Sequence, residues 1–164
     1  MIRSHFDAQG WLADHDPVRV VRRTDPVVDA VGFDPADAYV ETYWLPILGP
    51  SATWALRRLT GWLAGSPEGF RLPHDPFARE LGLGGRTGRN GPALRALGRL
   101  VLFDMATVTP VDELAVRTRI PPLSRRHVSR LPGHLIESHQ ADHAGGVTLE
   151  GHVSWTQSVQ AVGE

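Results

Sequence analysis

The chain has 164 residues, 41% of them hydrophobic, and no cysteine. That is enough for one domain with an ordinary core, and it excludes disulfide frameworks, thiol nucleophiles and cysteine-based zinc sites. The formal net charge of −1 conceals a cationic middle, because residues 46–130 carry 13 Arg against 6 acids. Residues 1–45 carry 4 Arg against 8 acids, and residues 131–164 carry 4 acids and no Arg.

The N-terminus, MIRSHFDAQGWLADHD, lacks the apolar run of a signal peptide, and no stretch reaches the ~20 apolar residues of a membrane span. A soluble, cytoplasmic protein is therefore expected. Residues 1–33 hold few helix signals and read as an irregular N-terminal arm. Within them Val18-Arg19-Val20-Val21-Arg22-Arg23 is β-branched and suits a strand or an arm packed on the domain. Asp34 followed by Pro35 starts a predicted helix over 35–48, with Val40, Tyr43, Trp44 and Ile47 at helical spacing. Residues 51–64 form the next, aligning Ala52, Leu56, Leu59 and Leu63 on one stripe. Trp44, Trp54 and Trp62 in these two helices are expected to build core.

Phe70, Arg71 and Leu72 suggest a short strand. Asp75 then precedes a brief helix over 76–81 as its expected cap. After the loop GLGGRTGRNG, Asn90 or Gly91 caps a helix over 92–103 that opens on Pro92. Ala93, Leu94, Leu97, Leu100 and Val101 line its inner side, which sends Arg95 and Arg99 outward one turn apart. Residues 106–109 and 114–120 read as a hairpin around residues 110–113. A period of two along its second strand puts Arg117 and Arg119 on one face. Ser124 caps a last helical region that breaks near Pro132-Gly133. Residues 144–164 read as a flexible tail, and residues 34–143 as the domain proper.

The order helix, helix, short helix, loop, helix, hairpin, with PFARELGL and PALRALGRLVLF at its centre, resembles the winged helix-turn-helix superfamily over roughly residues 50–120. The whole chain is also similar to actinobacterial proteins. One departure is the loop Gly82–Gly91, longer than the three or four residues of the usual turn. The resemblance implies a mainly α fold with minor β: a winged helix-turn-helix with a hairpin wing, an N-terminal extension and a C-terminal helix. It implies that helix 92–103 enters the major groove of double-stranded DNA, with Arg95 and Arg99 toward base edges or phosphates. Arg86 and Arg89 would meet phosphate beside the helix N-terminus, while Arg117 and Arg119 would set the wing on the backbone or in the minor groove. Asn90 would read adenine or, more simply, cap the helix.

All 17 basic residues are arginine and lysine is absent, a bias that GC-rich coding produces, so the placement of arginines carries the information. The glycine loop lacks the lysine of a phosphate-binding P-loop and follows a helix, which removes a nucleotide site. His127, His134, His139 and His143 include one i, i+4 pair but no HExxH arrangement, and surface histidines account for them better than a metal site. No nucleophile elbow is present. The reading is a non-enzymatic DNA-binding protein, sequence-specific or architectural, acting in transcription regulation without a cofactor. The rival is a protein-interaction module, with helices 35–64 as a homodimer or partner surface.

Overall fold

The computed structural model describes residues 6–143 and is mainly α, with one small sheet. Its elements are α1 (Ala8–Asp14), β1 (Val18–Arg23), α2 (Pro26–Val31), a π-helical turn (Val40–Trp44) running into α3 (Leu45–Leu48), and α4 (Pro50–Gly65). There follow β2 (Phe70–Leu72), α5 (His74–Glu80), α6 (Pro92–Leu102), β3 (Ala106–Val108), β4 (Glu113–Arg117), α7 (Arg125–Val128) and α8 (Gly133–His143). The predicted tail, 144–164, lies outside the described residues. No helix among the described residues is long and apolar enough to cross a membrane.

The N-terminal region corrects the expectation of an irregular arm. It supplies an internal strand of the sheet, whose order is β2-β1-β4-β3. β1 runs antiparallel to β2 and parallel to β4, with Val20 opposite both Phe70 and Leu114. Val18 and Val20 are wholly buried; Arg19, on the opposite face, pairs with Glu113, and Arg22, exposed near the end of the strand, pairs with Asp29. Period-two alternation puts Val18 and Val20 on the core face and Arg19, Val21 and Arg23 on the other. Ahead of β1, Asp7 caps α1 through a bond from Gly10 N–H (3.0 Å), and α1 buries Leu12 completely. Asp25 caps α2 by accepting from Val28 N–H at 3.2 Å.

The predicted helix over 35–48 begins later than expected. The Asp34 carboxylate accepts from Ala36 N–H (2.8 Å) in a turn, and a π-helical stretch follows. α4 matches its predicted stripe, with Ala52, Leu56, Leu59 and Leu63 buried. Trp44 is core and donates its indole N–H to Pro121 O at 2.8 Å, and Trp62 is half-buried edge-on to Phe70 and Phe77. Trp54 departs from the expectation: it is 57% exposed, with the Arg57 guanidinium 5.5 Å from its ring. α8 docks through tyrosines. Tyr39 Oη accepts from Leu123 N–H (2.9 Å) and lies 2.9 Å from His139 Nε2, and Tyr43 donates to Asp142 (3.1 Å). Burial raises the Tyr39 hydroxyl to a pKa of about 12, so it stays a proton donor throughout the physiological range.

Asp75 does not cap α5. Pro73 holds that position, and Asp75 instead pairs with Arg79 one turn on (2.9 Å). The helix opens on His74, a buried residue whose Nε2 has no hydrogen-bond partner among the described residues. Burial lowers its pKa, against a smaller opposing pull from Asp16, whose Oδ1 is 3.9 Å from Nδ1. His74 therefore resists protonation in the fold, and the unfolded chain takes up a proton first as pH falls through 6.5. Stability should drop below that pH, by at most about 1.4 kcal/mol per pH unit. His74→Phe should flatten the melting-temperature profile between pH 7.5 and 5.5; an unchanged slope in differential scanning fluorimetry would reject the assignment.

Candidate nucleic-acid interface

α6 is the element on which the expected site depends. Gly91, in extended conformation, is its N-cap and Pro92 its first residue, so neither Asn90 nor any other side chain caps it. Gly91 is required by close approach, because a Cβ there would meet the Arg86 carbonyl oxygen at 2.7 Å. The preceding loop turns on Gly82, Gly85 and Gly88, all at positive φ, which glycine alone adopts without strain. It folds back so that Arg86 sits at the start of α6. Arg86 and Asn90 are exposed. Arg89 is exposed too, but it is latched to α1: its guanidinium pairs with Asp7, and its carbonyl accepts from Gln9 Nε2 at 3.0 Å.

The inner face of α6 is as predicted, with Ala93, Leu94, Leu97 and Leu100 buried, but Ala96 is buried as well and α1 packs along the helix. At Gly98 a Cβ would come within 2.8 Å of Gln9 Cγ. The exposed part of α6 thus shrinks to Arg95, Arg99 and Leu102, a stripe one side chain wide. The two arginines differ in what they can do. Arg99 donates from Nε to Leu48 O (2.6 Å) and from Nη2 to Ile47 O (2.7 Å), which satisfies the terminal carbonyls of α3. Its guanidinium also lies 5.1 Å from the Phe103 ring centroid. Arg95 is exposed and has no ion pair or side-chain hydrogen bond among the described residues.

The hairpin departs most from expectation. β4 stops at Arg117, and the turn Thr109–Asp112 is closed by Thr109 N–H to Glu113 O (2.8 Å). Its tip carries Val111, 72% exposed, and Asp112, 3.8 Å from His15; no arginine is there. Arg117 is 5% exposed. It donates to Asp25 (2.8 Å), to the Asp104 carboxylate (2.9 Å) and to Asp104 O (2.7 Å), so it is a structural ion-pair centre and no wing contact. Arg119 lies past the strand, exposed, beside the bridge that Ile120 makes with Phe33. The two arginines do not share a face.

A further set of cations was missed in the sequence. Ser124 Oγ caps α7 through His127 N–H (3.3 Å), and the His127 ring packs edge-on to Trp44 (5.4 Å) and Phe103 (5.7 Å). α7 is thereby fixed at the C-terminal end of α6. Arg125, Arg126 and Arg130 around it are exposed and unpaired among the described residues. Burial, and then the charges of Arg130 and Arg126, depress the His127 pKa. The available signal was three arginines within Ser124–Arg130 without one acid.

Exposed arginines are thus found before α6 (Arg86), on it (Arg95 and Arg99) and on or just after α7, which packs at its C-terminal end (Arg126 and Arg130). Eleven residues of α-helix separate the two ends by about 16 Å. A second concavity, of ≈ 400 Å³ between α4 and residues 34–36, contains Arg22 and Arg57, but both already engage carboxylates, Asp29 and Glu41. Among the described residues no three His, Asp or Glu side chains are grouped to hold a metal. No family model, curated protein or solved structure matches the chain.

Proposed function

We propose that this protein binds double-stranded DNA across α6 and α7, on a winged-helix scaffold. The carrying observation is the set Arg86, Arg95, Arg126 and Arg130, exposed and free of carboxylate partners within 4.0 Å among the described residues, on α6 and the segments at its two ends. Exposed, unpaired guanidiniums suit a polyanion, because each phosphate neutralised releases condensed counterions. The order α3, α4, α5, glycine loop, α6, β3-β4 hairpin supports the scaffold, since it follows the helix, helix, short helix, loop, helix, hairpin succession of the resemblance, with the short strand β2 added between α4 and α5. Relative to the sequence-based expectation, α7 replaces the hairpin as the second contact. Arg89 joins only if Asp7 releases it, and Arg119 and Asn90 are peripheral. Regulation or packaging of DNA is the role such binding would serve, and no cofactor is invoked.

Fluorescence anisotropy with a ~20-bp duplex tests the proposal. An exposed charge-assisted contact contributes about 1 kcal/mol, so Arg95→Ala/Arg126→Ala/Arg130→Ala together should weaken binding roughly 100-fold. The salt slope should flatten by about 2.7, while the melting temperature barely moves. If the wild-type chain has no salt-sensitive affinity, the proposal fails. The protein-interaction reading would then lead, favoured by Trp54, an exposed tryptophan of the kind that anchors interfaces.

A further inference from the structure

The same face carries a statement about specificity, which rests on the DNA-binding reading. Sequence is read when a helix descends into the major groove and three or four of its outward side chains reach base edges. The groove is about 12 Å wide, and one helix with its side chains measures about 10–12 Å. Only a helix standing clear of its neighbours fits.

α6 does not stand clear. On one flank α1 lies against it, with Leu12 wholly buried, the Gln9 side chain over Gly98, and Gln9 and Asp7 both tied to Arg89. On the other flank Arg99 fastens it to the end of α3 through two carbonyls, at 2.6 and 2.7 Å. Packed helices sit about 8–10 Å apart and each measures about 10–12 Å with its side chains, so α6 with α1 beside it presents a slab roughly 20 Å across. A slab of that width rests on the two phosphate ridges and does not reach the floor of the groove.

The side chains agree with the shape. The outward positions of α6 are Arg95, Arg99 and Leu102, with the half-buried Pro92 at its start. Proline and leucine offer no donor, and Arg99 has spent two of its donors on carbonyls, so Arg95 is the single uncommitted one. The minor groove is unread as well, because the hairpin tip presents Val111 and Asp112 and no cation. Arg86, Arg126 and Arg130 belong to the segments before and after the helix, not to its outward face.

We infer that this protein recognises duplex DNA through its phosphates alone and binds without regard to sequence. The test is anisotropy of the full chain against three unrelated 20-bp duplexes, AT-rich, GC-rich and mixed, at two salt concentrations. Dissociation constants within tenfold of one another, with equal salt slopes, are the expected result. Arg95→Ala should then weaken all three by the same factor, as loss of a phosphate contact does. A preference above tenfold, or an Arg95→Ala effect confined to one duplex, overturns the inference and leaves the DNA-binding reading standing. Absence of affinity for all three overturns the DNA-binding reading, and the inference with it.

Discussion

A chain that begins at Asp34 is expected not to fold. Removing residues 1–33 deletes β1, which hydrogen-bonds to β2 on one side and β4 on the other. The two flanking strands would lose their shared partner, leaving a three-residue β2 alone and β4 with only the three-residue β3. The core would also lose Leu12, Val18 and Val20, all 0% exposed. Burial of three such side chains contributes about 5–9 kcal/mol, comparable with the whole stability of a typical domain. Far-UV circular dichroism and a melting scan of the 34–164 fragment would decide the matter. A cooperative transition near that of the full chain would mean that the sheet closes without β1.

Arg117→Met should destabilise the protein and leave DNA affinity alone. The guanidinium serves Asp25 and Asp104 together, and Arg23 adds a bond to Asp104 at 2.8 Å. Hydrogen bonds from Arg117 and from Val28 N–H hold the Asp25 carboxyl below its ordinary pKa. At Asp104 partial burial opposes ionisation, but the bonds from Arg23 and Arg117 outweigh it. Removing one partner of a buried pair costs about 3–5 kcal/mol. Asp104 is largely exposed (69%) and water would recover part of that cost, so about 3 kcal/mol, or a fall near 10 °C, is the expected size. Both carboxylates have depressed pKa values, so their contribution is complete above pH 3.8 and is lost as pH falls below it. The variant should therefore show a shallower acid limb. Arg117→Lys should rescue little, because one ammonium cannot span both carboxylates. Unchanged melting with weakened DNA binding would return Arg117 to the role first expected of it.

The elements that carry their signals locally were readable in the sequence. Pro92 after Gly91, Ser124 before Arg125, and the stripes of α4 and α6 depend on neighbours within a turn or two, and the structure places them close to the predicted bounds. What was not readable depends on distant chain. A helical wheel puts Arg99 outward but cannot say that the end of α3 lies outward too, within 2.6 Å. Alternation along 114–120 puts Arg117 on a face opposite Leu114 and Val116, yet that face is occupied by the Asp25 and Asp104 turns. The strand character of Val18–Arg23 was visible; its position between β2 and β4 was not, since parallel pairing leaves no local mark.

That pairing also sets a schedule for the growing chain. Arg19 meets Glu113, 94 residues further on. At a synthesis rate of roughly 5–20 residues per second, β1 waits about 5–19 s on the ribosome for the strand beside it. Through that interval an extended valine-rich segment is exposed to whatever else is nearby, and Arg19, Arg22 and Arg23 are interspersed among its valines. Charged residues beside an apolar strand discourage pairing with the wrong edge. Arg19, Arg22 and Arg23 are thus placed to discourage mispairing of the strand until β2 and then β4 are made.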